Sequence, residues 1–185
     1  GLAVEKKLTK FDFRNRKAKV LADGSHWWNH GVRGEYVLAM LQTYFNYLES
    51  LATKFNLTEI QRLIDQFAEH AVSAVLWREL LLLLSKRPAV MLKFASELLV
   101  SHPLQYLLET RYHLGKVYTC LNEYADADIE AIEESLLKLP TLQDVELSHG
   151  SLRDARNRLL SQLPSQRLSI GTQKLLSAED ISESQ

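Results

Sequence analysis

The side chains best suited to chemistry crowd into one stretch, Asp23-Gly24-Ser25-His26-Trp27-Trp28-Asn29-His30-Gly31-Val32-Arg33-Gly34. Its glycines make it a loop. His26 and His30 stand four residues apart, which places two imidazoles on one face if the segment is helical, the arrangement a shared metal ion needs. No third Cys, His or carboxylate follows at ligand spacing, so no metal is assigned. Trp27, Trp28 and Arg33 are residue types favoured at binding hot spots. The competing reading is that the two tryptophans plug the end of a helical core.

A second set lies on a helix further along. Arg111 falls on an apolar stripe with Leu107, Leu114 and Tyr118. A charge in that position needs a partner. Glu79 and Glu109 are the available carboxylates. Without them, Arg111 forms an anion-binding or partner-binding group with Tyr112, His113 and Lys116. Gly115 marks a close helix crossing. The candidate binding surface is therefore His26, Trp27, Trp28, His30, Arg33, Arg111 and His113.

Other reactive residues have simpler readings. Cys120 adjoins core-like Leu121 and reads as a structural thiol. Glu130, Glu133 and Glu134 lack the Glu-x-x-His companion of carboxylate metal sites and read as a solvated helix face. There is no Gly-rich phosphate loop, no Gly-x-Ser-x-Gly elbow, no His-Glu-x-x-His and no Cys-x-x-Cys. This weighs against an enzyme, although dispersed catalytic sets leave no such signature. No catalytic residue and no cofactor is expected.

The elements that must carry these residues are helical. Only 4 prolines and 7 glycines punctuate 185 residues, and leucine dominates the apolar set, which favours helix over strand. Apolar residues recur at three and four over 35–54, from Val37 to Leu51. A longer run over 58–86 either bends near Ser73 or divides there, with Thr58 and Gln61 at capping-box spacing. Pro88 suits the first turn of the next helix. His102-Pro103 opens another, Asp126 is the expected N-cap of the one after, and 148–163 gives the last. The block from Val75 to Leu84 is apolar most of the way round and should be the most buried part of the chain.

These patterns define an all-α fold of antiparallel helical hairpins, stacked as a short solenoid or an irregular bundle. Residues 1–34 form a basic arm and the Trp/His loop, 35–164 the helical domain, and 165–185 a partly ordered tail with one short helical turn near Gln173. The arm carries Lys6, Lys7, Lys10, Arg14, Arg16, Lys17 and Lys19 against Glu5 and Asp12, a local balance of +5. From Asn122 to Glu146 eight acids face Lys138 alone, a balance of −7. Such opposed patches pair within the chain or between copies.

Bulk properties set the limits. The 46% apolar fraction supports a real core, and a net charge of −1 argues against general nucleic-acid binding. No apolar run is long enough for a membrane span. One cysteine excludes an intrachain disulfide framework and fits a reducing, cytoplasmic compartment. Gly1 in place of a start methionine fits a piece of a longer protein.

The rhythm of helix pairs resembles HEAT or armadillo solenoids. Trp-Arg-Glu-Leu from Trp77, Lys-Arg-Pro ending at Pro88, Glu-Thr-Arg-Tyr from Glu109 and Ile-Glu-Glu-Ser-Leu-Leu-Lys-Leu-Pro from Ile132 also resemble helical-repeat regions of large bacterial STAND-type signalling ATPases. The resemblance covers about a third of the chain and implies a sensor or scaffold segment, with any nucleotide site elsewhere. The expected function is a non-enzymatic interaction or scaffold module that binds a protein partner or itself, from a larger cytosolic signalling protein. The alternative is a ligand-binding or catalytic helical domain that uses the Trp/His loop.

Overall fold

The computed structural model describes residues 8–24 and 32–183, with side chains over 8–24 and 39–178. The described chain is mostly helical, with one small two-stranded sheet. The all-α expectation therefore holds in its coarse form, with a small hairpin added to it. β1 (Leu8–Phe13) and β2 (Arg16–Leu21) pair antiparallel, with Phe13 opposite Arg16. Arg14 and Asn15, at φ of 53° and 58°, make the two-residue turn, the primed geometry that matches strand twist.

The basic arm is therefore a structural part of the fold. Phe11, Phe13, Ala18 and Val20 point to one face and are buried in the same core as the helices. Its charges are tied locally as well. Arg14 pairs with Asp65 at 2.8 Å, Arg16 with Glu69 at 3.3 Å and Lys17 with Asp12 at 2.6 Å.

Nine helices follow among the described residues: α1 (Val32–Thr53), α2 (Leu57–His70), α3 (Ala74–Lys86), α4 (Pro88–Ala95), α5 (His102–Tyr106), α6 (Leu108–Cys120), α7 (Ile129–Lys138), α8 (His149–Leu160) and α9 (Ile170–Glu183). α2 begins at Asn56, whose side chain accepts the Glu59 N–H, so the Thr58 capping box does not form. α7 is capped by Asp128 rather than Asp126. Pro88 occupies the first turn of α4.

The long pattern over 58–86 divides in two for a specific reason. Ala71 and Ser73 are extended, and the Val72 carbonyl accepts the Leu21 N–H at 2.8 Å, so the end of β2 takes over this linker. Ser73 makes no cap with its own side chain. Asp23 supplies one from a distance: its carboxylate accepts the Ser73 hydroxyl and, at 3.0 Å, the Val75 N–H. Asp23→Ala should cost about 1–2 kcal/mol, the usual range for a lost N-cap. Thermal melts of the two proteins check this.

α3 is the centre of the molecule. Ala74, Val75, Trp77, Leu80, Leu81, Leu83 and Leu84 are all buried along it, and it packs most extensively against α6. Trp77 meets Phe11, Phe13 and Phe67 edge to face at centroid distances of 4.9, 5.6 and 5.0 Å. Its indole N–H donates to the Lys19 carbonyl at 2.9 Å. The most apolar helix and the hairpin thus share one aromatic cluster.

The C-terminal segment is also built in. Arg167 donates to the carbonyls of Leu121, Tyr124, Ala125 and Ala127 at 2.7–3.4 Å. Glu133, read from sequence as part of a solvated face, is only 6% exposed and accepts the Ser169 N–H and the hydroxyls of Ser169 and Thr172. It thereby fixes Ser169, whose hydroxyl accepts the Thr172 N–H at 3.2 Å and caps α9, a full helix where the sequence predicts one short turn. Burial raises the pKa of Glu133, but the three hydrogen bonds outweigh it and hold the carboxyl below its usual value.

Candidate functional site: a basic groove between α6 and α8

α6 displays its residues on two sides. Leu114, Val117 and Tyr118 face the core, and Leu108, Arg111, Tyr112, Gly115 and Lys116 line an open groove closed from the other side by Arg158, Leu159, Ser161 and Gln162 at the end of α8. The groove holds about 420 Å³, within the range of small-ligand clefts. Gly115 lies at the crossing. A methyl group added there would meet the Gln162 side chain at 3.4 Å and that of Leu159 at 3.6 Å, ordinary contact distances. The glycine keeps the floor of the groove low.

Three cations converge on this groove: Arg111, Lys116 and Arg158. Among the described residues no carboxylate lies within 4.0 Å of any of them. The two carboxylates expected to pair with Arg111 are engaged elsewhere. Glu79 pairs with Arg78 at 3.2 Å, and Glu109 accepts the Gly24 N–H at 2.9 Å. Arg111 is half-buried, and its pKa is lowered first by that burial and then by the charge of Arg158; Asp154 pulls weakly the other way. The ammonium of Lys116 sits 4.7 Å from the centre of the Tyr112 ring. The groove is thus a concentrated positive field with two forked guanidiniums, an aromatic wall, and the polar side chains of Ser161 and Gln162. A carboxylate or phosphate group is the chemical complement of that set.

The other site residues predicted from sequence fall differently. His26, Trp27, Trp28 and His30 lie outside the described residues. Arg33 belongs to the first turn of α1, and its side chain lies outside the described residues too. His113 does not line the groove, because two residues of helical spacing turn it away from Arg111. It faces Arg78 instead, and its Nδ1 is buried without a hydrogen-bond partner. Arg158, Ser161 and Gln162 were not distinguishable in sequence from the rest of a polar helix face. Among the described residues no three His, Cys, Asp or Glu side chains gather in a metal-binding arrangement, and no helix is long and apolar enough to cross a membrane.

Burial lowers the pKa of His113 to about 4, helped by the charges of Arg78 and Lys116. The ordinary value is 6.5, so between pH 4 and 6.5 the unfolded chain binds the proton that the folded chain refuses. Stability from this residue therefore rises with pH across that window and is fully lost below about pH 4. His113→Leu should flatten this part of the acid limb in pH-dependent thermal melts. His102, whose pKa burial also lowers, adds to the slope, as do Glu133 and Glu59, whose hydrogen bonds hold their carboxyls below the ordinary value.

No family model, no curated protein and no solved structure matches this chain.

Proposed function

We propose that the chain is a non-enzymatic helical interaction module that receives an anionic group of a protein partner in the α6–α8 groove. One observation carries the reading: Arg111, Lys116 and Arg158 converge on an open cleft with no carboxylate in ion-pair reach among the described residues. Like charges held together cost stability, and Arg111 bears that cost while half-buried. A bound carboxylate or phosphate would offset it, and bidentate pairing to the guanidiniums would add orientation. The hairpin cations differ in this respect, since Arg14 and Arg16 already have carboxylate partners.

Isothermal titration with a glutamate-rich peptide and, separately, with inorganic phosphate tests the proposal. Saturable binding should weaken as salt rises. The variants Arg111→Glu and Arg158→Glu should each weaken it at least tenfold while melting within a few degrees of the parent. Equal binding by the parent and both variants would contradict it. The two probes separate a carboxylate-bearing partner from a phosphate-bearing one.

A further inference from the structure

On a different part of the surface, α4 and the 3-10 turn Ser96–Val100 face the loop 123–128 and the first turn of α7 across an open trough of about 620 Å³. Its floor and walls are apolar but thin. Leu92, Tyr124, Ala127 and Ala131 are only partly buried, Val100 is 39% exposed, and Ala89 and Ala125 are exposed. The trough is preformed, because Arg167 holds the loop through the carbonyls of Tyr124, Ala125 and Ala127 and Asp128 caps α7 through the Ala131 N–H. Alanine walls leave room for bulky side chains that the chain itself does not supply.

The rim decides what fits. Glu97, Glu123, Asp126 and Asp128 line the trough against the single cation Lys93. All four acids are exposed. Glu97 already accepts the Arg14 N–H at 2.6 Å, and Asp128 serves as a cap. An anionic or purely apolar partner would leave this carboxylate field unmatched, whereas Lys and Arg would match it without crossing the apolar floor.

We propose that this trough docks a cationic amphipathic segment of a protein partner, its large apolar side chains seated between the alanines and its basic residues on Glu97, Glu123 and Asp126. The site is independent of the α6–α8 groove and has the opposite charge. Helix-in-groove recognition of this kind needs an apolar face at i, i+3, i+4 and i+7 with basic flanks.

The probe is a short helical peptide with leucines on one face and lysines on the other, followed by fluorescence anisotropy. A second peptide carries glutamates in place of the lysines. The lysine peptide should bind saturably and the glutamate peptide at least tenfold more weakly. Glu123→Lys with Asp126→Lys should weaken the lysine peptide at least tenfold. Ala89→Trp, which fills the trough from an exposed position near the start of α4, should do the same without a change of charge. Arg111→Glu should leave the affinity unchanged, so this test stands or falls separately from the basic groove. Circular dichroism melts confirm that each variant is folded. Undiminished binding by the trough variants, or equal binding of both peptides, would overturn the proposal. Self-association that the same trough variants abolish would also overturn it, in favour of a second copy as the occupant.

Discussion

Trp77→Ala should lower stability by about 3–5 kcal/mol, the range for removing a large buried aromatic, and lower the melting temperature by roughly 10 °C. The side chain is fully buried and touches three rings, two of them from the hairpin. Truncation empties the seam between β1, β2, α2 and α3 and leaves the Lys19 carbonyl without its indole donor. Trp77→Phe should recover most of the packing and fail only in the hydrogen bond, worth about 1 kcal/mol. Chemical denaturation of both variants separates the two contributions. A loss under 1 kcal/mol for Trp77→Ala would mean that the hairpin does not share the helical core.

Gln105→Ala should cost about 2–4 kcal/mol, through lost volume and a broken polar network together. The side chain is fully buried in α5. Its amide donates to the Leu99 carbonyl at 3.0 Å and the Tyr118 hydroxyl at 3.2 Å, and its carbonyl accepts the Ser135 hydroxyl at 3.2 Å. Tyr118 in turn donates to Leu99, and Ser135 shares its single hydroxyl proton between the Gln105 and Val100 carbonyls. One amide therefore joins the 3-10 turn, α5, α6 and α7. Gln105→Leu restores the volume, so its remaining loss, about 1–3 kcal/mol, measures the network alone. Equal stability of Gln105→Leu and the parent, read from urea midpoints, would show that the network contributes specificity without stability.

The helical part of this fold was legible because it rests on leucine periodicity. The stripes over 35–54 and 58–86 and the proline at the start of α4 all read correctly as elements. The hairpin was missed although Phe11 and Phe13, then Ala18 and Val20, alternate at the strand period. Its turn is Arg14-Asn15, which lacks the Asn-Gly signal of a primed turn, and the surrounding lysines made the segment look solvated. The division at Ala71–Ser73 was visible only as an ambiguity, because its cause, pairing with Leu21 and capping by Asp23, comes from fifty residues away. Asp126 lost the cap of α7 to Asp128 within the same turn signal. Glu133 looked like one acid among several, since its partners Ser169 and Thr172 lie in a segment with little pattern of its own.

The site was half legible. Arg111 stood out as a charge on an apolar stripe, and its near neighbours Tyr112 and Lys116 were on the same helix. The choice between ion pair and binding group depended on where Glu79 and Glu109 point, which helical spacing alone does not give. Arg158 completes the groove from α8, and nothing local distinguishes it from Arg153 or Arg156. His113 shares the helix but not the face.

The most direct measurement is a titration of the protein with inorganic phosphate, and then with a glutamate-rich peptide, followed through the arginine side-chain Nε–Hε resonances by NMR. The account predicts that the signals of Arg111 and Arg158 shift together and saturate with one affinity, while those of Arg14 and Arg16, already paired with Asp65 and Glu69, stay in place. Uniform, unsaturated shifts across all the arginines with both probes would contradict a built anion site between α6 and α8.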